Sequence, residues 1–156
     1  MKKKQFDWGN VYKALVPVLD HSASLEGNAN ISFQLEDTRT IAMGGGRQVG
    51  LTSWAIRELV KDDNAILISL DRTHRLQHVL QFKELYGNGG ALKARRKFFT
   101  ATDFESMDEA LLSKILKKTK RVFIDDAGAN HRCGMVYNYL AEHVDAKSVI
   151  IVKMGV

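Results

Sequence analysis

The chain has 156 residues, 45% hydrophobic and 26% charged, which is one domain's worth of sequence with enough apolar residues to bury a core without staples. No apolar run approaches the ~20 residues of a membrane-spanning helix, and no secretory stretch follows the basic start Met1-Lys2-Lys3-Lys4, because Asp7, Asn10 and Lys13 interrupt it. The lone Cys133 excludes an internal disulfide and fits a reducing compartment, so the expected location is the cytoplasm (the host's, for a viral protein), and a net charge of +5 suits a polyanionic partner.

Phe6, Val11, Ala14, Leu15, Val18 and Leu19 recur at helical spacing, with Pro17 as a break or kink. Residues 21–30 read as a loop. Ile31, Phe33 and Leu35 alternate with polar residues, the pattern of a half-buried strand. Residues 1–38 thus read as an extension of one helix and one strand, and residues 39–156 as the core domain. In that core, strands are expected over Thr40–Met43, Ala65–Leu70, Lys97–Thr100, Arg121–Asp125 and Ser148–Val152. Helices are expected over Thr52–Lys61, Thr73–Tyr86, Ser106–Lys118 and Gly134–His143, the second with Leu76, Val79, Leu80 and Leu85 inward and Gly87-Asn88-Gly89-Gly90 ending it. Alternating strands and helices give an α/β fold, a mainly parallel sheet between two helix layers that binds ligands beyond the carboxyl ends of its strands.

The strongest chemical signal lies where the first core strand runs into a helix: Gly44-Gly45-Gly46-Arg47-Gln48-Val49-Gly50-Leu51-Thr52-Ser53. Glycines let successive backbone N–H groups turn inward around phosphate oxygens, and the positive end of the next helix adds to the attraction. Against the pattern G-x-x-x-x-G-K-[ST], the spacing fits from Gly45 through Gly50 to Thr52, whose hydroxyl is placed to bind Mg2+. Leu51 stands where the lysine belongs and offers neither charge nor donor. Arg47 is the compensating cation that needs no movement, with Lys153 as a second source. The competing reading is a glycine-rich turn without a ligand.

Val122-Phe123-Ile124-Asp125-Asp126-Ala127 is an apolar strand ending in two acids. In P-loop enzymes the first such acid serves the magnesium ion and the second serves the attacking water. Neighbouring residues of a continuing strand point to opposite sides, so the two share a site only if the chain turns, for which Gly128 is available. The competing reading is a pair of acids capping the next segment.

Together these segments resemble the ATPase domain of phage large terminases, the DNA-packaging motors. Arg47-Gln48-Val49-Gly50-Leu51-Thr52 matches their Arg-Gln-x-Gly-Lys-Thr at Arg, Gln, Gly and Thr, and Ile124-Asp125-Asp126-Ala127 matches their hydrophobic strand followed by Asp-Glu-Ala. The resemblance implies a P-loop NTPase three-layer sandwich of RecA/terminase type, ATP and Mg2+ as ligands, and assembly of several copies. It implies that Arg47 contacts the γ-phosphate, that Asp125 and Thr52 serve the metal, and that Asp126 replaces the catalytic glutamate. With Leu51 for lysine and the shorter Asp126, hydrolysis is expected to be weak. The alternative is a non-catalytic P-loop derivative that serves as an adaptor on nucleic acid or protein.

Two basic runs, Lys93–Lys97 and Lys114–Arg121, suit a nucleic-acid backbone, and Phe98-Phe99 after the first can stack bases or enter the core. His74 and His78 stand four apart without the Glu of a zinc-protease helix, and are expected at the surface. His131 lies close enough in sequence to Asp125 to approach the nucleotide.

Overall fold

The computed structural model describes residues 6–24, 31–44, 50–129 and 132–156. Helices α1 (Trp8–Ser24) and α2 (Ile31–Thr38) come first, then β1 (Thr40–Met43), α3 (Leu51–Lys61), β2 (Ala65–Ser69), α4 (Arg72–Tyr86) and α5 (Gly90–Ala94). They are followed by β3 (Phe98–Thr100), α6 (Ala101–Ser106), α7 (Glu109–Leu116), β4 (Arg121–Ile124), α8 (Cys133–His143) and β5 (Ile150–Met154). The strands form one five-stranded, all-parallel sheet in the order β1-β5-β4-β2-β3.

Parallel strands require crossovers, and the crossover helices cover both faces of the sheet. Successive side chains of a strand point to opposite faces, and the two cores divide accordingly. Ala65, Leu67, Phe123 and Val152 meet Trp54, Leu59 and Phe82 on one face, where Trp8 and Leu19 of α1 also pack. Ile66, Ile68, Val122, Ile124 and Ile151 meet Leu35, Leu116, Tyr137 and Leu140 on the other. The expected α/β architecture of a parallel sheet between helix layers is therefore present. Among the described residues, no helix is long and apolar enough to cross a membrane.

Four local expectations are corrected. Residues 31–38 form a helix, not a strand. Leu35 is fully buried but Ile31 is half exposed, and helical bonds such as Arg39 N–H to the Leu35 carbonyl (3.2 Å) satisfy the backbone. Pro17 lies inside α1 without ending it, and the helix runs on to Ser24, into the loop expected over 21–30. The helix expected over Ser106–Lys118 is the shorter α7 (Glu109–Leu116), and a separate helix, α6, precedes it. Thr100 and Asp103 close a capping box on α6, and the Asp108 side chain accepts from Leu111 N–H (3.0 Å) to start α7. In α4, Leu76, Leu80 and Leu85 are half exposed or more, and the buried residues are His78 and Phe82. Phe82 fixes that orientation by packing on Phe98 (ring centroids 5.3 Å apart) and on Tyr86.

Candidate functional site

Helix α3 leaves the end of β1, crosses one face of the sheet and leads to β2, while α8 leaves the end of β4 and returns to β5 on the other face. The connections part on either side of β5, and a crevice opens at the carboxyl ends there, as parallel sheets do at such a switch point. The crevice is a cavity of about 920 Å3, lined by the start of α3, one side of α4, the turn after β4 and the chain end after β5.

Gly50 caps α3 with φ 78°, a left-handed conformation that a residue with a Cβ takes only at a cost. Among the described residues, no side chain caps this helix and its first turn holds no acid, so the positive end of its dipole faces the cavity beside the Asp125 carboxylate. Thr52, in that first turn, donates from its hydroxyl to Asp125 Oδ1 at 2.9 Å. The helix N-terminus and the carboxylate strand end, 73 residues apart in sequence, are thus joined by a direct hydrogen bond.

Strand β4 ends at Ile124, and the Asp125 N–H still bonds to the Ile68 carbonyl at 2.9 Å. The chain then turns at Asp126 with φ 47°, and Ala127 N–H reaches the Met154 carbonyl at 2.8 Å. This turn brings Asp125 and Asp126 to the same cavity. The left-handed residue is Asp126 itself. Gly128 serves the turn differently: a Cβ there would lie 3.0 Å from the Gly155 carbonyl oxygen.

His78 completes the site, and the expectation of a surface residue fails for it. The residue is 6% exposed, with Nε2 3.1 Å from Asp125 Oδ2 and Nδ1 2.8 Å from the fully buried Ser69 Oγ. His74 does lie at the surface, where its N–H and ring meet the Asp71 carboxylate that caps α4. Burial alone pushes the Asp125 carboxyl upward. The hydrogen bond and charge of His78, the Thr52 hydroxyl and the Asp126 N–H outweigh it, so the carboxyl lies below its ordinary value and is ionised at neutral pH. His78 was legible in one respect: His74, Gln77, His78 and Gln81 stand at i, i+3, i+4 and i+7, a polar stripe at helical spacing, and all four line the cavity. Gln81 also reaches Ser53 Oγ, at 3.2 Å.

Of the residues expected in the site, Gly50, Leu51, Thr52, Ser53, Asp125 and Asp126 line this one cavity. Gly44 follows β1, where a Cβ would lie 3.0 Å from the Val156 carbonyl oxygen. Gly45, Gly46, Arg47, Gln48, Val49 and His131 lie outside the described residues. Leu51 is 6% exposed and belongs to the core cluster under α3. Lys153 does not serve as the second cation: it pairs with Glu36 at 2.8 Å over the Tyr137 ring, away from the cavity. Thr52 and the ionised Asp125 are hard oxygen donors of the kind magnesium accepts. Among the described residues no three His, Cys, Asp or Glu side chains gather as a metal cage.

The two basic runs meet at the opposite end of the sheet. Lys93, Arg96, Lys114 and Lys118 surround a second cavity of about 530 Å3 beside the amino end of β2. Lys97 also borders this cavity but is buried with its ammonium on the Asp62 carbonyl. Two other members of those runs face elsewhere: Arg121 pairs with Glu58 (3.0 Å) and Asp62 (2.8 Å), and Lys120 bonds to Ser148 Oγ at 2.9 Å. Phe98 and Phe99 are 3% and 2% exposed, so they are core side chains and not stacking platforms. Comparison of the chain with protein-family models, with curated proteins and with solved structures found no match.

Proposed function

We propose that this chain is a nucleotide-binding P-loop domain of the ATPase type found in viral nucleic-acid motors, with weak hydrolysis. The observation that carries the reading is the Thr52–Asp125 hydrogen bond, made at an uncapped helix N-terminus beside the carboxyl ends of a parallel sheet. Triphosphate oxygens fit the leading N–H groups of α3, which supply fixed donors without a lysine. Magnesium, when bound, neutralises phosphate charge; Thr52 and Asp125 are the residues to hold it. Asp126, turned into the same cavity, is the acid available to orient a water molecule and take its proton as the water oxygen bonds to the terminal phosphorus and the bond to the leaving diphosphate breaks. Leu51 adds no charge at the phosphates, which is the physical ground for slow turnover. Titration of fluorescent ATP with and without Mg2+ tests this. Binding should strengthen with Mg2+ and weaken about tenfold or more in Thr52→Ala and Asp125→Ala, since hydrogen bonds to charged groups contribute about 1.5–3 kcal/mol each. A wild-type chain that binds no nucleotide with Mg2+ refutes it.

The second basic cavity favours one further reading, a nucleic-acid-binding adaptor derived from the same fold. Among the described residues, no carboxylate pairs with Arg96, Lys114 or Lys118, although Lys93 pairs with Asp63 at 3.0 Å. Oligonucleotide binding that falls steeply with salt, that Lys114→Glu with Lys118→Glu abolishes, and that ATP leaves unchanged would favour the adaptor.

A further inference from the structure

We propose that His78 is a direct ligand of the divalent cation at Thr52 and Asp125, so that the site accepts first-row transition ions that take an imidazole nitrogen, beyond magnesium. The inference rests on the nucleotide–metal reading above and adds to it a nitrogen donor that a P-loop and two acids do not supply.

The geometry comes first. Neighbouring ligands on an octahedral ion at about 2.1 Å are separated by about 3.0 Å. His78 Nε2 and Asp125 Oδ2 are 3.1 Å apart, and the other oxygen of the same carboxylate holds Thr52 Oγ1 at 2.9 Å. Donors from α3, α4 and the end of β4 therefore converge on one carboxylate, and one ion can bridge imidazole and carboxylate with little movement of either.

The support behind the ring is the second observation. Imidazoles that bind metals are held at their other nitrogen by a hydrogen-bonding partner that fixes ring orientation and tautomer. Ser69 Oγ fills that place at 2.8 Å from Nδ1, on a residue with no exposed surface. A hydroxyl suits both states of the site. Without a cation, Nε2–H donates to Asp125 and Nδ1 accepts from Ser69. With a cation, the proton resides on Nδ1 and donates to Ser69 Oγ, and the Nε2 lone pair faces the metal. A merely structural histidine also explains a bond to Asp125, and only direct observation of nitrogen on the metal separates the two.

Mn2+ added to the full chain gives that observation by electron paramagnetic resonance. The free-ion signal counts bound Mn2+, and electron spin-echo modulation reports a directly bonded 14N. The expected result is one bound ion with imidazole 14N modulation that changes on 15N-histidine labelling. The modulation should vanish in His78→Gln, which keeps a donor for Asp125, with about tenfold weaker binding, and should persist in His74→Ala. Bound Mn2+ that depends on Asp125 but shows no nitrogen coupling, or coupling lost in His74→Ala and kept in His78→Gln, overturns the proposal and leaves the nucleotide reading standing. A wild-type chain that binds no Mn2+ even with ADP removes the cation site itself, and the inference falls with it. Melting curves of both variants show that they are folded.

Discussion

Replacing Leu51 by lysine separates the two roles of that position, packing and charge. Leu51 is 6% exposed, lies in the core cluster under α3 and also borders the cavity. Removing a fully buried leucine forfeits about 1.5–3 kcal/mol of burial. A lysine retains part of it, because its aliphatic stem can follow the same wall while the ammonium enters the cavity. The net cost is then about 1–2 kcal/mol, and at about 2–4 °C per kcal/mol for a domain of this length the melting temperature should fall by roughly 2–8 °C. The ammonium gains a charge-assisted contact with phosphate of about 1.5–3 kcal/mol, or roughly 10- to 100-fold in the dissociation constant. Leu51→Lys should therefore melt lower than wild type alone and bind Mg-ATP more tightly. At a hundredfold excess over its dissociation constant, ligand returns about 2.7 kcal/mol, enough to offset the lost packing. Calorimetric titration and thermal melts with and without Mg-ATP measure both quantities. If Leu51→Lys loses stability and gains no affinity, or if neither chain binds ATP, the placement of phosphate beside α3 is wrong.

Arg121→Met should destabilise by about 2–4 kcal/mol in urea unfolding, because it strands Glu58 and Asp62, both mostly buried beside it. Burial pushes the Glu58 carboxyl upward, yet Arg121 and Lys61 together hold it below its ordinary 4.5. A lowered carboxyl contributes stability that is complete above that ordinary value and is lost as pH falls through the folded one, so wild type should lose melting temperature below about pH 4.5 more steeply than Glu58→Gln. Phe82→Ala, at a position with no exposed surface between Phe98 and Tyr86, should cost about 3–5 kcal/mol by the same unfolding measurement. Gly155→Ala meets both a φ of 70° and Asp126 Oδ1 at 3.2 Å from the new Cβ, so it should cost about 1–2 kcal/mol and weaken nucleotide binding through the displaced acid; unchanged binding would separate Asp126 from the site.

The parallel sheet was legible because its strands carry their signal in composition. Ala65–Ser69 and Arg121–Ile124 are short apolar runs between helices, and burial on both faces leaves such runs little choice. The meeting of Thr52 with Asp125 was legible from the glycines after one strand and the acids at the end of another. His78 was missed because α4 was oriented by its leucines. Three of those leucines face water, and the helix is held instead by Phe82 and by polar bonds to Ser69 and Ser53, which no hydrophobic pattern encodes. The strand expected over residues 31–35 failed for a related reason: an alternation of three apolar residues is also compatible with a short helix, and the space for Leu35 between α8 and the sheet exists only once the fold has formed. The two basic runs were visible as charge, but the loss of Lys97 to the Asp62 backbone carbonyl and of Arg121 to the Glu58 and Asp62 carboxylates depends on residues far away in sequence.

Helix α3 is tethered unequally at its two ends. Its far end is moored to β4 by the Arg121 guanidinium through Glu58 and Asp62, whereas at its near end a single hydroxyl, on Thr52, reaches the strand's acid. The rest of that first turn is held by packing, with Leu51 and Trp54 in the core and Ser53 accepting from Gln81. A guest that claims the Thr52 hydroxyl therefore exchanges one bond at a helix start that is already fixed, and no strand of the sheet has to move to admit it.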